Sequence, residues 1–196
     1  MRILIAIPTF ENIQPEVFQA VYDMDKLEHR VDFTFVRGYD CAKARSSIAE
    51  KAVEGGYDYV LMIDSDTVVP VDALGFLLEE PGDILLGCCP RKNTTKGLTA
   101  LYPLSENPFG FKKPMTYGSL ENGRVELRGG GFACAFIRTK VFSKLEKPYF
   151  KYVVYENGEA LSEDLYFCLS ARKAGFHIWS EPRVRCGHLS RRYQYE

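Results

Sequence analysis

Two carboxylates stand one residue apart at the end of a strand-like segment, and they offer the clearest chemistry in this chain. Asp64 and Asp66 flank Ser65 and follow the apolar run 57–63. Carboxylate oxygens are hard ligands suited to Mg²⁺ or Mn²⁺, which usually share their coordination with waters and substrate phosphates. Open α/β sheets bind ligands at the carboxyl ends of their strands. The pattern therefore predicts a metal-bound nucleotide here, although many isolated D-x-D pairs are solvated loop acids.

The composition limits the class of protein. The chain has 196 residues, which suits one domain with a sizeable core. With 25 basic and 26 acidic residues its net charge is −1, so there is no clear nucleic-acid-binding signal. No apolar run reaches the roughly 18–20 residues of a transmembrane segment. The six cysteines include no C-x-x-C pair, which argues against a zinc ribbon and favours reduced thiols in a cytoplasmic protein.

The first half of the chain alternates between strand-like and helical segments, which must position the acidic pair. Continuous apolar runs and period-2 alternation predict strands at 2–7, 31–36, 57–63 and 84–89. Apolar residues three and four apart predict helices at 15–27 and 42–53, with a further helix after Pro70. Alternating strands and helices are typical of an α/β fold with a largely parallel sheet.

The second half begins with a looser stretch, 90–128, which we interpret as loops and short strands laid over the site. Three glycines, 129–131, then precede an apolar strand at 132–137 and a short helix at 141–145. Ser162 is predicted to cap a helix that Gly175 ends, because these residue types favour helix starts and stops. Two short strands are expected at 177–179 and 184–188.

Five segments, in this order, resemble the family-2 glycosyltransferases of the GT-A fold. They are the opening 5–12, Ala44-Arg45, the glycine-rich 129–135, the acidic helix start 162–169, and 174–176 together with the terminal 184–188 and its histidine. The resemblance implies a single α/β domain of the GT-A (Rossmann-like) fold, with a mostly parallel central sheet flanked by helices. It divides the chain into a nucleotide-sugar-binding half (1–90), an acceptor-side half (91–188) and a tail (189–196).

The same resemblance implies a donor site for a nucleotide-diphosphate sugar, with UDP the expected nucleotide. Asp66 would bind the metal directly, Asp64 would bind it through water or contact the ribose, and His188 would be the third ligand. A histidine ligand favours Mn²⁺ over Mg²⁺. The nucleotide-sugar contacts would come from Pro8, Thr9, Glu11, Asp40, Arg45, Asp64, Ser65, Gly129 and Gly130. The first four would contact the base and ribose, Arg45 the base or phosphates, and the two glycines would let the backbone approach the sugar or acceptor.

Two neighbouring acids supply the expected catalytic groups. A carboxylate at the start of a helix, facing the acceptor, could remove the proton of the attacking hydroxyl. Asp164 is our candidate for this base, and Glu163 would orient the acceptor or support Asp164. A base in this role implies direct displacement at the anomeric carbon, hence inversion. The acceptor itself is not identified by any residue.

Two other classes remain open at this level. A sugar-phosphate nucleotidyltransferase can share the fold, but it usually carries a glycine-rich basic loop after the first strand. The loop here, 8–12, contains an acid and no glycine. A non-catalytic nucleotide- or glycan-binding protein would keep the fold, yet the acids of both motifs are present. A metal-dependent glycosyltransferase is therefore the favoured hypothesis.

Overall fold

The structure, a computed structural model, describes residues 1–10, 12–38, 40–92, 97–105, 111, 113–121 and 123–189. In the first half, as predicted, strands and helices alternate. The elements are β1 (Arg2–Thr9), α1 (Pro15–Asp23), β2 (Arg30–Arg37), α2 (Cys41–Glu54), β3 (Tyr59–Ile63), β4 (Thr67–Val68), α3 (Ala73–Glu79) and β5 (Ile84–Cys88). No helix within these described ranges is both long and apolar enough to cross a bilayer.

The second half contains mostly strands and one long helix. Its elements are β6 (Leu101–Pro103), β7 (Glu126–Gly130), β8 (Cys134–Arg138), β9 (Val153–Val154), β10 (Ala160–Leu161), α4 (Glu163–Lys173), β11 (Ile178–Arg185) and β12 (Gly187–His188). Two short 3₁₀ helices lie at Gly118–Leu120 and Thr139–Lys144. The two strands predicted at the end of the chain are thus largely one strand, β11, whose pairing with β5 shifts register between Glu181 and Arg185.

Eight strands form one mixed sheet in the order β2-β1-β3-β8-β5-β11-β7-β6. β1 runs parallel to β2 and β3, and β5 runs parallel to β11. β8 lies antiparallel between β3 and β5, and β7 lies antiparallel between β11 and β6. Six strands therefore point the same way and two are reversed. This confirms the α/β, mostly parallel sheet that the sequence predicts.

Helices cover both faces of the sheet, so its central strands are buried on each side. Every residue of β3 and of β5 is buried, as their continuous apolar sequences predict. One core contains residues of α2 and α4 and includes Phe132, Phe150 and Phe167, whose rings pack against one another. The other contains residues of α1 and α3. The sheet is thus held between two apolar layers.

The ends of two helices decide where site residues lie. Asp40 caps α2, because its Oδ1 accepts hydrogen bonds from the amides of Ala42 (2.9 Å) and Lys43 (3.3 Å). α4 begins at Glu163 as predicted, but the expected cap is wrong in detail. Ser162 makes no side-chain cap hydrogen bond, because its hydroxyl instead donates to Asp164 Oδ1.

The two-stranded ladder of β12 and β4 brings the end of the described chain to the acidic loop. Gly187 lies opposite Val68, and His188 lies opposite Thr67. The amide of Leu189 also donates to the Asp66 carbonyl at 2.9 Å. A histidine more than a hundred residues away in sequence is therefore fixed beside the D-x-D segment.

Candidate functional site

The acidic loop lies at the carboxyl end of β3, the strand between parallel β1 and antiparallel β8. The Asp64 amide donates to the Ala133 carbonyl (3.0 Å), and the Thr67 amide donates to the Asp64 carbonyl (3.0 Å). The Ser65 carbonyl accepts from the Gln14 amide at 3.1 Å. These bonds hold the loop between the glycine-rich turn and the segment that follows β1, so its carboxylates are set by the sheet.

Arg45 joins the two acidic motifs. Its side chain is only 3% exposed, and its Nη2 donates to Asp64 Oδ1 at 2.7 Å while its Nη1 donates to Glu163 Oε1 at 2.8 Å. The predicted contact of Arg45 with the base or phosphates stays a prediction. Both of its outer nitrogens are engaged by carboxylates, because α2 packs against the ends of β3 and α4.

Glu163 is largely buried as well, with 8% of its side chain exposed. It accepts the Arg45 bond, and it also interacts with the Cys41 thiol and the Tyr152 hydroxyl, which helps to raise the pKa values of both groups. Burial is the largest cause of the rise for Cys41, to about 12, and also for Tyr152. A carboxylate enclosed in this way is suited to positioning its neighbours and not to collecting a substrate proton.

Asp164 presents a different geometry. Its Oδ1 accepts from the Ser162 hydroxyl and from the Leu165 amide (2.7 Å), which leaves Oδ2 directed at Gly131. A β-carbon at Gly131 would lie 3.5 Å from Oδ2 and 3.1 Å from the Ala100 β-carbon, so a glycine keeps the space before the carboxylate open. One oxygen is therefore fixed and the other faces the glycine-rich turn, as a general base requires.

Asp66 lies between two cationic side chains. Its Oδ2 is paired with the Lys92 ammonium, and His188 Nε2 lies 3.5 Å from its Oδ1. The second ring nitrogen of His188, Nδ1, is 2.7 Å from the Pro90 carbonyl oxygen. Because a carbonyl oxygen can only accept, Nδ1 carries a proton and the ring presents Nε2 to Asp66.

Asp66 and His188 each stabilise the charged form of the other. Partial burial raises the pKa of Asp66, but hydrogen bonds from His188 and Lys92 outweigh it and lower that pKa to about 2. The hydrogen bond to Asp66, followed by one involving Cys89, raises the pKa of His188 to about 10. Burial, by contrast, raises the pKa of Asp64 against the opposing effect of Arg45.

The donor set fits a divalent ion whose coordination is completed by a substrate. Within the described part of the chain, no three His, Cys, Asp or Glu side chains converge to hold a metal by themselves. Asp66 and His188 nevertheless offer an oxygen and a nitrogen 3.5 Å apart, and the Pro90 carbonyl fixes the histidine tautomer as a supporting group would. Such a two-donor site suits an ion that takes its other ligands from water and phosphates. A metal ion must displace both the Nε2 proton and the Lys92 ammonium.

A cavity of about 270 Å³ lies beside the acidic pair, where the nucleotide is predicted. Its walls are formed by Pro8, Thr9, Phe10, Gly38, Cys41, Ala44, Asp64, Ser65 and Asp66. Thr9 is buried, and its hydroxyl donates to the Asn12 carbonyl at 2.9 Å. Asp40 is near but uses Oδ1 to cap α2, and the predicted contact Glu11 lies outside the described residues.

The predicted role of Gly129 and Gly130 at the sugar or acceptor stays a prediction, but the packing of the sheet gives another reason for both glycines. Both are buried in β7, where a β-carbon at Gly129 would lie 2.6 Å from that of Cys168. A β-carbon at Gly130 would lie 2.7 Å from Leu101 Cδ2. Glycine is needed because α4 and β6 approach the strand closely, and the glycine that faces the site is Gly131.

Several residues at the site were missed by the sequence reasoning, and three of them bear on its chemistry. Cys41 lines the nucleotide cavity, Lys92 pairs with Asp66, and Gly131 faces Asp164. Lys92 follows the carboxyl end of β5, which is where the sheet of an α/β fold binds ligands, so its position carried a usable signal. Cys41 lies next to a residue chosen as a contact, but a lone thiol has no distinctive spacing.

Comparison with solved structures identifies the fold of this chain. No protein-family model and no curated protein sequence matches the chain. The structure of A197 from STIV is similar over 97% of this chain and 87% of its own, with a TM-score of 0.64 and 18% identity. GalNAc-T7 with UDP, GalNAc and Mn²⁺ is similar over 98% of this chain and 44% of its own, with a TM-score of 0.63 and 13% identity.

Two further structures extend this likeness. S. aureus TarS 1-349 in complex with UDP-GlcNAc is similar over 99% of this chain and 60% of its own, with a TM-score of 0.53 and 14% identity. The catalytic domain of Drosophila beta1,4galactosyltransferase 7, in a complex with xylobiose, is similar over 100% of this chain and 74% of its own, with a TM-score of 0.58 and 16% identity. The chain therefore has a GT-A-like glycosyltransferase fold, and it spans about half the length of TarS 1-349 and GalNAc-T7.

Proposed function

We propose that the chain is a metal-dependent glycosyltransferase that moves a sugar from a nucleotide-diphosphate sugar to an acceptor hydroxyl. The observation that carries the proposal is the Arg45 bridge, because it fixes the D-x-D loop and the start of α4 in one site. One arginine thereby holds Asp64 of the D-x-D loop and Glu163, the residue next to the candidate base Asp164.

The donor is proposed to be a UDP-sugar. GalNAc-T7 was solved with UDP and Mn²⁺, and TarS 1-349 with UDP-GlcNAc, and both share the fold. In this chain Pro8, Thr9 and Ser65 line the cavity proposed for the nucleoside. Asp66 and His188 would hold Mn²⁺ or Mg²⁺, with Asp64 nearby, and the ion would neutralise charge on the departing diphosphate.

Asp164 is proposed as the base. Its Oδ1 is held by Ser162 and Leu165, so Oδ2 is aimed at the glycine-rich turn and can accept the acceptor's proton. Arg45 and Glu163 position this end of α4 without touching the reacting atoms. Proton removal from the acceptor during attack fits a single displacement with inversion. The division of the chain at residue 90, the acceptor and the cytoplasmic location stay predictions.

The experiment that tests the donor site is calorimetric binding of UDP, GDP and their sugars, with and without Mn²⁺. Wild type is compared with Asp66→Ala and with Asp72→Ala, an exposed aspartate whose side chain makes no cap hydrogen bond. We expect metal-dependent binding of one nucleotide that is lost in Asp66→Ala and kept in Asp72→Ala. Folded wild type that binds no nucleotide in Mn²⁺ would refute the proposal and favour a glycan-binding protein.

A further inference from the structure

Lys92 occupies one oxygen of the carboxylate that is proposed to bind the metal. Its ammonium pairs with Asp66 Oδ2, on the carboxylate that also faces His188. The lysine side chain is 41% exposed, whereas His188 is 19% exposed. His188 is held by the Pro90 carbonyl and by the β12–β4 ladder, but Lys92 is held at its tip by Asp66. Of the two cations, the lysine is therefore the one that can leave.

A divalent ion and an ammonium bound to the same carboxylate would lie close together and would repel each other strongly. Binding of the ion at Asp66 therefore requires Lys92 to move. Its four-carbon stem allows this without a change in the backbone. Lys92 also lines a cavity of about 390 Å³ together with Asn12, Gln14, Glu16, Ser65, Asp66 and Leu189. The displaced ammonium thus has open space on the same side as the acidic loop.

Arg45, a second cation of the site, has no free outer nitrogen to offer a phosphate. Arg45 is buried and bonded to Asp64 and Glu163 through both outer nitrogens. A diphosphate bound at Asp66 through a metal would still carry uncompensated negative charge. A released Lys92 is well placed to contact it, because lysine binds phosphate as a mobile point charge.

We propose that Lys92 is a tethered cation that occupies Asp66 until a metal and a nucleoside diphosphate arrive together, and that it then binds the diphosphate. This inference rests on the proposed function. It makes metal and nucleotide affinities interdependent, since each ligand binds more favourably after the lysine has moved. Metal alone competes with Lys92, whereas metal with nucleotide gives the lysine a new partner.

The test measures Mn²⁺ binding from the free-Mn²⁺ electron paramagnetic resonance signal and UDP binding by calorimetry, without acceptor. Lys92→Met is compared with wild type, with Lys92→Arg, and with Lys140→Met. Lys140 is a matched control, since it is 56% exposed and pairs with Asp83 at 3.4 Å. For Lys92→Met we expect Mn²⁺ alone to bind about threefold to fivefold more tightly. UDP at saturating Mn²⁺ should bind at least about threefold more weakly.

These opposite changes distinguish the proposal from a structural role, which would weaken both affinities or neither. Lys92→Arg should stay within about twofold of wild type in both measurements, as should Lys140→Met. Unchanged or weaker Mn²⁺ binding by folded Lys92→Met, beside a wild type that binds UDP with Mn²⁺, overturns this inference alone. Failure of wild type and of Lys92→Met to bind either ligand overturns the proposed function as well.

Discussion

Replacement of Arg45 by methionine tests whether one buried arginine holds the site together. Arg45→Met keeps the length of the side chain but leaves Asp64 and Glu163 without their shared cation. Removal of one partner from a buried ion pair costs about 3–5 kcal/mol, because the remaining charge is left in a poor solvent. Glu163 is 8% exposed and meets this condition fully, whereas Asp64 is 32% exposed and meets it only in part. We therefore expect a loss of about 3 kcal/mol, at the lower end of that range.

Urea unfolding at pH 7 measures this loss, and a double-mutant cycle assigns it. For a chain of this length a loss of about 3 kcal/mol lowers the melting temperature by about 6–12 °C. Arg45→Met combined with Glu163→Gln should cost at least about 1.5 kcal/mol less than the sum of the single changes, because the unpaired charge is gone. Arg30→Met is the control, since Arg30 is 68% exposed and lies 3.8 Å from Asp32. It should cost less than about 1 kcal/mol.

The reasoning fails if Arg45→Met costs less than about 1 kcal/mol or if the cycle is additive within about 0.5 kcal/mol. Either result means that Arg45 does not link the D-x-D loop to α4 in solution. Arg45→Lys separates charge from geometry, because lysine keeps the charge but cannot bridge two carboxylates with a planar fork. We expect its stability to fall between those of wild type and Arg45→Met.

Three further changes test the base, the packing and the acid stability. Asp164→Asn should lower the rate of sugar transfer at least about 100-fold, measured with a radiolabelled sugar, while the affinity for UDP, measured by calorimetry, changes less than about threefold. Equal losses of rate and affinity would contradict a base role. Gly129→Ala should destabilise by about 1–3 kcal/mol, because its β-carbon would lie 2.6 Å from that of Cys168. Gly75→Ala is the control, because no atom lies within 4 Å of a β-carbon at Gly75, and it should stabilise α3 by up to about 1 kcal/mol. Thermal melts in which Gly129→Ala is more stable than Gly75→Ala would refute the packing argument. Burial raises the pKa of Glu181, but its arginine partners outweigh burial and lower that pKa from 4.5. The ionised Glu181 therefore stabilises the fold fully above pH 4.5, and this stabilisation is lost as the pH falls through the folded pKa. Glu181→Gln should flatten the dependence of stability on acid pH, and an unchanged pH profile would contradict this.

The sequence determined the local elements and the chemical nature of the site. Continuous apolar runs predicted β1, β3 and β5, because a strand buried on both faces needs apolar side chains on each. The glycines at 55 and 56 predicted the end of α2, where Gly55 is the C-cap and Gly56 has a φ of +62°. The acids 64 and 66 at the end of a strand predicted a site at the edge where such sheets bind ligands.

Only the tertiary structure decided which of these residues meet. The sequence gives no indication that β8 is inserted antiparallel between β3 and β5, because a buried strand reads the same in either direction. The partners of Arg45 are separated from it by 19 and 118 residues, so no local pattern reveals the bridge. Lys92 meets Asp66 only because the carboxyl ends of β3 and β5 lie at one edge of the sheet. Residue types set the chemistry available, while long-range packing selected which charges are paired and which carboxylate oxygen stays open.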